Sequence, residues 1–443
     1  MPEDVAGIGR VLQAGGHAAW LVGGSVRDLL LGREPRDWDI ATDAPAEYLE
    51  AKFPRVERVG AHTPAFLVFA APGAPPREVS LLRGETIEAD LARRDFTINA
   101  LALALPLEAG ATDASVIDLY GGLADLEARV LRAVGDADAR FDEDPLRPLR
   151  GVRLEAELGF APESATLRAM ERHGPRAGSA APERLREEIL RCLACEKPSH
   201  AIGRMRETGM LAVLLPEVAA MVRVAQPARY HKLDVYHHTL AALDFLAEDP
   251  AADAYLRFAV LYHDAGKPAT LTLRDGEPSF IGHEKEGAQL AEARCEALRF
   301  PARETARIGA LVLHHLVRYT LRWSDRTVRR FMRRVTPALL PDLMKLYAAD
   351  MRAKDPERYK VISVPVEVAA LSVRIREMER AGDALSIHDL VIAGEDVMRA
   401  LDVPAGPAVG AALEALLEQV IADPALNERD KLLALLARMK TAG

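Results

Sequence analysis

The chain has 443 residues, with 57 Lys plus Arg against 66 Asp plus Glu and a formal charge of −9. That length suits about three domains at roughly 150 residues each, and 49% hydrophobic with 28% charged residues excludes wholesale disorder. No apolar run approaches the ~18–20 residues of a membrane helix, and Met1 leads into PEDVAG rather than a basic-then-apolar signal. Cys192, Cys195 and Cys295 are too few for a disulfide framework. The expectation is a cytoplasmic protein with no membrane and no protein partner implied.

Up to about residue 133, AAWLVGG (18–24), WDIAT (38–42), AFLVFA (65–70) and EVSLL (78–82) read as short strands bounded by turn residues. APGAPP (71–76) reads as a hairpin connection, and INALALAL (98–105) as a further strand whose alanines leave helix open. Past Gly135 the apolar spacing turns helical and stays so, through PLRPLRGVRLEAEL, ERLREEILRCLA, YHHTLAALDFLA, EGAQLAEARCEAL and VGAALEALLEQVIA. The fold class expected is α+β: a small α/β head with a mixed sheet, then an all-helical remainder. Cys192-Leu193-Ala194-Cys195 falls in a helical apolar pattern and reads as buried thiols rather than zinc or redox chemistry.

The acidic balance argues against a coat of positive charge for nonspecific nucleic-acid binding. A local basic track is nevertheless present: Arg318, Arg322, Arg326, Arg330 and Arg334 recur every fourth residue, which a helix would line along one face. A solvated face is the plain reading, and a phosphate contact becomes the better one if the rest of the chain implies RNA.

LVGGSVRDLLLG (21–32) runs from strand through glycine turn to helix. Gly23 and Gly24 let the backbone approach a ligand, and Arg27 adds a charged fork for phosphate. In Arg36-Asp37-Trp38-Asp39-Ile40, a strand would point Asp37 and Asp39 the same way. Two carboxylates held that close repel unless a cation sits between them, which suits Mg²⁺ with a bound triphosphate. Arg93-Arg94-Asp95-Phe96-Thr97-Ile98-Asn99-Ala100 sets two more cations before an apolar stretch.

In this order, LVGGSVRDLLLG, DWD and RRDFTINA resemble the class II nucleotidyltransferase head of the polymerase-β-like superfamily, which comprises tRNA CCA-adding enzymes, their CC-only and A-only specialists, and bacterial poly(A) polymerases. GDADARFDEDPLRPLRGVRLEAELGF (135–160) is similar to that family's neck motif. The resemblance implies a catalytic head at 1–133, a helical neck with RNA-binding region at 134–225, an HD domain at 226–350, and a helical tail contacting tRNA at 351–443. It implies that Asp37 and Asp39 hold Mg²⁺, that Gly24 and Arg27 cradle the triphosphate, and that Arg94 is a further nucleotide contact. Asp144 and Arg147 would template the base, with Arg150 and Arg153 as further nucleotide contacts. A carboxylate accepts from the exocyclic amino group that C and A share, while an arginine donates to the adjacent ring acceptor. The implied partners are tRNA, CTP and ATP.

His238, His263-Asp264 and Asp350, in the frames YHHTLAALDFL and LRFAVLYHDAGKP, resemble the HD phosphohydrolase superfamily. That implies a divalent transition metal with phosphatase and 2′,3′-cyclic phosphodiesterase activity, with His283 and His314 nearby and His237 outside the ligand set. The alternative is a helical domain that has lost catalysis. Finally, CCA-adding enzymes of this class carry a long flexible loop that repositions the template for ATP. Here EVSLLR (78–83) is followed by only GET before IEADLARRDF (87–96), which marks a CC-adding specialist unless GAHTPAF (60–66) supplies the lever. The competing readings are a full CCA-adding enzyme, a poly(A) polymerase, and an HD phosphohydrolase with an RNA-binding head.

Overall fold

The computed structural model describes residues 1–59, 65–71, 73–106, 115–229, 231–358 and 364–442. They condense into two compact units, Met1–Cys195 with His200–Leu214, and Glu196–Ser199 with the chain from Leu215 onward.

The first unit is built on β1 (Ala19–Val22), β2 (Ile40–Thr42), β3 (Arg55–Val59), β4 (Ala65–Phe69), β5 (Arg77–Leu81), β6 (Leu101–Leu105) and β7 (Ile117–Asp118). Their order across the sheet is β3-β4-β5-β2-β1-β6-β7. β2 runs parallel to β5, and the other pairings are antiparallel, so the sheet is mixed. β4 and β5 form the hairpin expected around APGAPP, and the alanine-rich INALALAL becomes β6 because it pairs with both β1 and β7. The strands alternate about a buried side: Leu21, Ile40, Val68 and Val79 are fully buried, each contributing about 1.5–3 kcal/mol.

One expectation changes here. β2 begins at Ile40, so Asp37 and Asp39 lie on the segment entering the strand and not within it. Strand alternation therefore does not orient them; Ser25 does, as described below.

After the sheet come the helices Ala137–Glu143, Arg147–Leu158 and Pro182–Leu193. Arg147–Leu158 carries Pro148 in its first turn and stops at Gly159, whose φ of 70° favours glycine. The second unit is helical apart from a small hairpin, Thr272–Arg274 with Glu277–Ser279. Asp234 and Asp253 cap Val235–Ala247 and Ala254–Tyr262 by accepting from His237 N and Leu256 N, each cap worth about 1 kcal/mol. The helix expected over the arginine repeat covers only Asp325–Val335, leaving Arg318 and Arg322 on the preceding turn. Cys192, Cys195 and Cys295 are free and buried. No described helix is long and apolar enough to cross a membrane.

Candidate active sites

The head site begins with Ser25, on the first turn of the helix Gly24–Leu30. Its hydroxyl donates to Asp37 O at 3.0 Å and accepts from Asp39 N at 2.8 Å, which fixes the backbone of the Asp-Trp-Asp segment. Buried Trp38 anchors the residue between the two carboxylates. Ile40 registers with Val79 across the parallel pair, so Asp39 comes alongside Glu78 on β5. Burial, reinforced by the charge of Glu78, raises the Asp39 pKa to about 6 against the opposing pull of Arg94. A carboxylate so disfavoured as a lone anion fits a site completed by a cation. The oxygen donors of Asp39 and Glu78 on the larger cavity, with Asp37 on the recess beside it, suit Mg²⁺, which keeps further positions for water and substrate phosphate.

Gly23 has φ 69°, and a Cβ there would stand 2.7 Å from Arg94 Nη1, so only glycine lets that guanidinium lie against the turn. Arg94 is held at 3.0 and 2.9 Å by Asp90 Oδ2. Arg27 is buried, bonded to Asn99 Oδ1 at 2.8 Å and Asp28 Oδ1 at 2.9 Å. Arg150 faces Asp95 at 3.2 Å.

Arg147 donates to Arg140 O and Arg93 O, both at 2.7 Å, and to Glu143 Oε2 at 2.8 Å. Asp144 is bonded instead to Arg184 Nη2 at 2.6 Å and to Leu146 N at 3.0 Å. Burial works to raise the Asp144 pKa, but these bonds and the Arg184 charge hold it below the usual carboxylate value. Arg153 is buried between Glu188 and Glu157, whose charges overcome burial and raise its pKa.

Gly24, Asp39, Arg94, Asp144, Arg147 and Arg150 line one cavity of about 1500 Å³. Arg27, Asp37 and Arg153 line a smaller recess that shares Gly24, Asp39 and Arg150 with it. All nine head and neck residues singled out from sequence thus border connected space. Glu78, Asn99, Arg83 and Arg184 also border it and were not singled out. Glu78 and Arg83 lie in EVSLLR, but their relevance depends on β5 lying beside β2, which local pattern does not encode. Arg83 has a pKa lowered by burial and then by the charge of Arg94. A cavity that crowds arginines in this way is arranged for a polyanion.

The second site lies in the helical unit. His238 on Val235–Ala247, His263 after Ala254–Tyr262, and Asp350 on Leu340–Lys354 bring ligand atoms within 4.8 Å of one another. Asp264, His283 and His315 form a second such group. Asp264 joins them: Oδ2 lies 3.3 Å from His263 Nε2 and 3.6 Å from His238 Nε2, whereas Oδ1 lies 3.5 Å from His283 Nε2 and 3.7 Å from His315 Nε2. His263, His283 and His315 each place Nδ1 at 2.6–2.7 Å from a backbone carbonyl, of Val260, Phe280 and Val312. A carbonyl can only accept, so Nδ1 carries the proton and Nε2 is left as a lone-pair donor pointing inward. Gly266 permits the arrangement, since a Cβ there would collide with His283 O at 2.2 Å.

The chemistry of this donor set fits divalent transition metal. Burial lowers the pKa of His238 and His283, and burial with the His263 charge takes His315 to about 3, keeping them neutral. Burial opposes ionisation of Asp264 and Asp350, yet His263 and Lys267 beside the first, and the Lys354 charge with the hydrogen bond from His238 on the second, hold both well below the usual range. His263 shifts upward because the Asp264 charge outweighs burial. The histidine expected beside this site was His314; the structure places His315 there instead, with His314 half-buried and outside both groups. His315 follows the helix Ala302–His314 with φ −60° and ψ −27°, still helical, so its side chain lies about 100° around the axis from that of His314. His237 is exposed and bonded to Asp234.

A poly A polymerase head domain model matches residues 19–70 and 71–132, and a tRNA nucleotidyltransferase domain 2 model matches 287–436. The CC-adding tRNA nucleotidyltransferase of Thermus thermophilus is 37% identical over 417 residues, 90% of this chain and 89% of that protein. The A-adding tRNA nucleotidyltransferase of Deinococcus radiodurans is 34% identical over 427 residues, covering 90% and 91%. The crystal structure of the Bacillus stearothermophilus CCA-adding enzyme in complex with CTP is similar with a TM-score of 0.72 at 26% identity, covering 99% of this chain and 98% of that one. With the head motifs, the cavity they line and near full-length similarity in hand, the chain belongs to the class II CCA-adding family and is a tRNA nucleotidyltransferase.

Proposed function

We propose that this nucleotidyltransferase adds two CMP residues to a tRNA 3′ end and stops. The observation that carries the reading is the connection between β5 and the helix Ile87–Leu91. Only residues 82–86 intervene. Leu82 N bonds Thr42 O at 3.1 Å, Arg83 N bonds Asp90 Oδ1 at 3.1 Å, and Thr86 caps the helix. A segment tied at both ends, to the sheet and to the helix Ile87–Leu91, leaves no slack for a lever that would re-aim a base template. The other candidate for a lever, GAHTPAF, falls with residues 60–64 outside the described residues.

The template pair supports the same reading. Arg184 holds Asp144, while Glu143 and the Arg93 carbonyl hold Arg147, so both side chains are fixed before substrate arrives. CTP is the substrate, with its triphosphate among Arg27, Arg94 and Arg150 and its base against Asp144 and Arg147. The tRNA 3′-hydroxyl attacks the α-phosphorus, and pyrophosphate leaves. Mg²⁺ held by Asp37 and Asp39, with Glu78 adjoining, would supply charge neutralisation for the attacking and departing oxygens. The test is incubation with tRNA lacking its 3′ end, and with tRNA already ending in CC, with CTP and ATP singly and together. Addition of two C and stalling supports the proposal; efficient AMP addition to the CC end overturns it in favour of a full CCA-adding enzyme.

A second reading concerns the helical unit, and the Asp264-centred donor set favours it. The unit acts as a metal-dependent phosphohydrolase on phosphate esters, including 2′,3′-cyclic phosphates, with His238, His263, Asp264 and Asp350 as ligands and His283 and His315 as further donors. Lys267 and Lys354, bonded at 2.7 and 2.9 Å to Asp264 and Asp350, are the cations nearest a bound phosphate. Wild-type protein that hydrolyses no phosphate ester with Mg²⁺, Mn²⁺, Co²⁺ or Ni²⁺ overturns this second activity.

A further inference from the structure

The seven arginines from Arg318 to Arg334 differ in their partners in the folded protein, Arg334 lying over the Phe331 ring. Arg329 pairs with Asp383, Arg330 with Glu418, and Arg333 with both Glu414 and Glu418, fastening Asp325–Val335 to neighbouring helices. These side chains are spent on packing. Arg318, Arg322 and Arg326 are exposed and, among the described residues, have no ion-pair or hydrogen-bond partner.

The second group has an origin in space. Arg318 lines the cavity of about 770 Å³ over the metal-ligand cluster, together with Asp264, His283, His315 and Asp350. The chain then leaves that wall, carries Arg322 on a turn, and presents Arg326 on the first turn of Asp325–Val335. The turn is braced from below. Tyr319 is buried, Trp323 packs edge-on against Tyr319 and Phe331, and Arg374 reaches up to Trp323 O at 2.7 Å and to Asp325. Leu321 at its tip is 69% exposed. Across the cavity rim, Arg274 adds another exposed cation, flanked by Leu273 and Ile281 at 71% and 67% exposure.

A small phosphate ester would need only the cations beside the ligand cluster. Further arginines placed progressively outward on a rigid turn, with apolar side chains exposed among them, match a single-stranded polynucleotide: phosphates at intervals, with base faces between. We infer that Arg318, Arg322 and Arg326 form a track that holds the strand behind an RNA 3′ end while its terminal phosphate ester enters the metal-cluster cavity. The inference rests on the phosphohydrolase reading of that cavity. Its substrate class is therefore phosphate-ended RNA rather than free nucleotides.

The experiment compares full-length wild type with the Arg322→Ala/Arg326→Ala double variant in the presence of Mn²⁺ or Ni²⁺. Its substrates are an RNA oligonucleotide ending in a 2′,3′-cyclic phosphate and the mononucleotide 2′,3′-cyclic AMP. The double variant should raise KM for the oligonucleotide about tenfold and lower the slope of log KM against log salt by about 1.4, for two lost phosphate contacts on a single strand. kcat, mononucleotide hydrolysis and CMP addition to tRNA should stay unchanged. Unchanged oligonucleotide KM overturns the track, as does equal loss on both cyclic substrates. A parallel fall in CMP addition also overturns it, because the arginines would then serve tRNA docking for the transferase. Wild type that hydrolyses neither substrate removes the phosphohydrolase activity but not the track. Fluorescence anisotropy of the same labelled RNA then decides: tenfold weaker binding by the double variant retains the track, and equal affinity overturns it.

Discussion

The two candidate sites of this chain assemble their side chains in opposite ways. The head presents carboxylates on the wall of an open, arginine-rich cavity, and among the described residues no three of its acidic groups meet the convergence seen in the helical unit. The helical unit buries four histidines around Asp264 and Asp350, with the ring protons of three locked on backbone carbonyls. A site whose substrate brings its own phosphate oxygens can leave the coordination shell incomplete. A site that must generate a hydrolytic nucleophile needs its donors assembled in advance.

The largest break in that comparison should come from Asp37→Ala or Asp39→Ala. Either should cut CMP addition by on the order of 10³-fold, since the electrostatic clamp at the reacting phosphate is lost, while phosphate-ester hydrolysis is spared. Single-turnover assays of both reactions on the same preparation check it, and near-normal transfer in a folded variant would dismiss the head site.

Next in size is the helical cluster. Asp264→Ala should abolish metal-dependent hydrolysis because this one carboxylate serves both donor groups, and CMP addition should continue. His315→Ala should weaken metal binding by about 10–100-fold, whereas His314→Ala should not change it. Calorimetric titration with Mn²⁺ separates the two histidines; equal losses would mean that His315 has no special place.

A smaller effect is expected at the template. Arg184→Ala frees the Asp144 carboxylate from its 2.6 Å partner, and CTP should lose roughly tenfold of its kcat/KM advantage over UTP. Arg184→Lys should restore part of it. Selectivity identical to wild type in both variants would show that Arg184 plays no part in positioning.

The smallest and most graded test uses pH. Asp39 in the folded protein binds its proton up to about pH 6, and Mg²⁺ requires the ionised form. Apparent Mg²⁺ affinity should therefore fall about tenfold per pH unit below that value and level off above it. Transfer assays across Mg²⁺ concentration at each pH read this directly; a flat profile from pH 5 to 7 would contradict the burial of Asp39 beside Glu78.

Much of the head was legible because its chemistry is local in the chain. Gly23-Gly24, Asp37-Trp38-Asp39 and Glu143-Asp144-Pro145-Leu146-Arg147 each lie within a few residues, and short motifs announce themselves without knowledge of the fold. The short apolar runs bounded by turn residues and the later helical spacing likewise foretold an α/β head followed by helices. Glu78 was hidden because its neighbour Asp39 is nearly forty residues away across a parallel strand pair. The choice between His314 and His315 depended on where one helix ends, and adjacent residues on a helix point about 100° apart.

Residue type was legible directly: glycines, aspartates and arginines in the head, histidines and aspartates in the middle, and only GET between EVSLLR and IEADLARRDF. What tertiary structure alone decided was how those groups are spent. A run of seven arginines between residues 318 and 334 sets a local charge, but partners from elsewhere in the chain determine which of them are paired. Arg329, Arg330 and Arg333 meet carboxylates from segments some fifty to ninety residues further on, and Arg318, Arg322 and Arg326 do not. Charge is a property of the residue, whereas availability for a ligand depends on long-range contacts that only the folded chain creates.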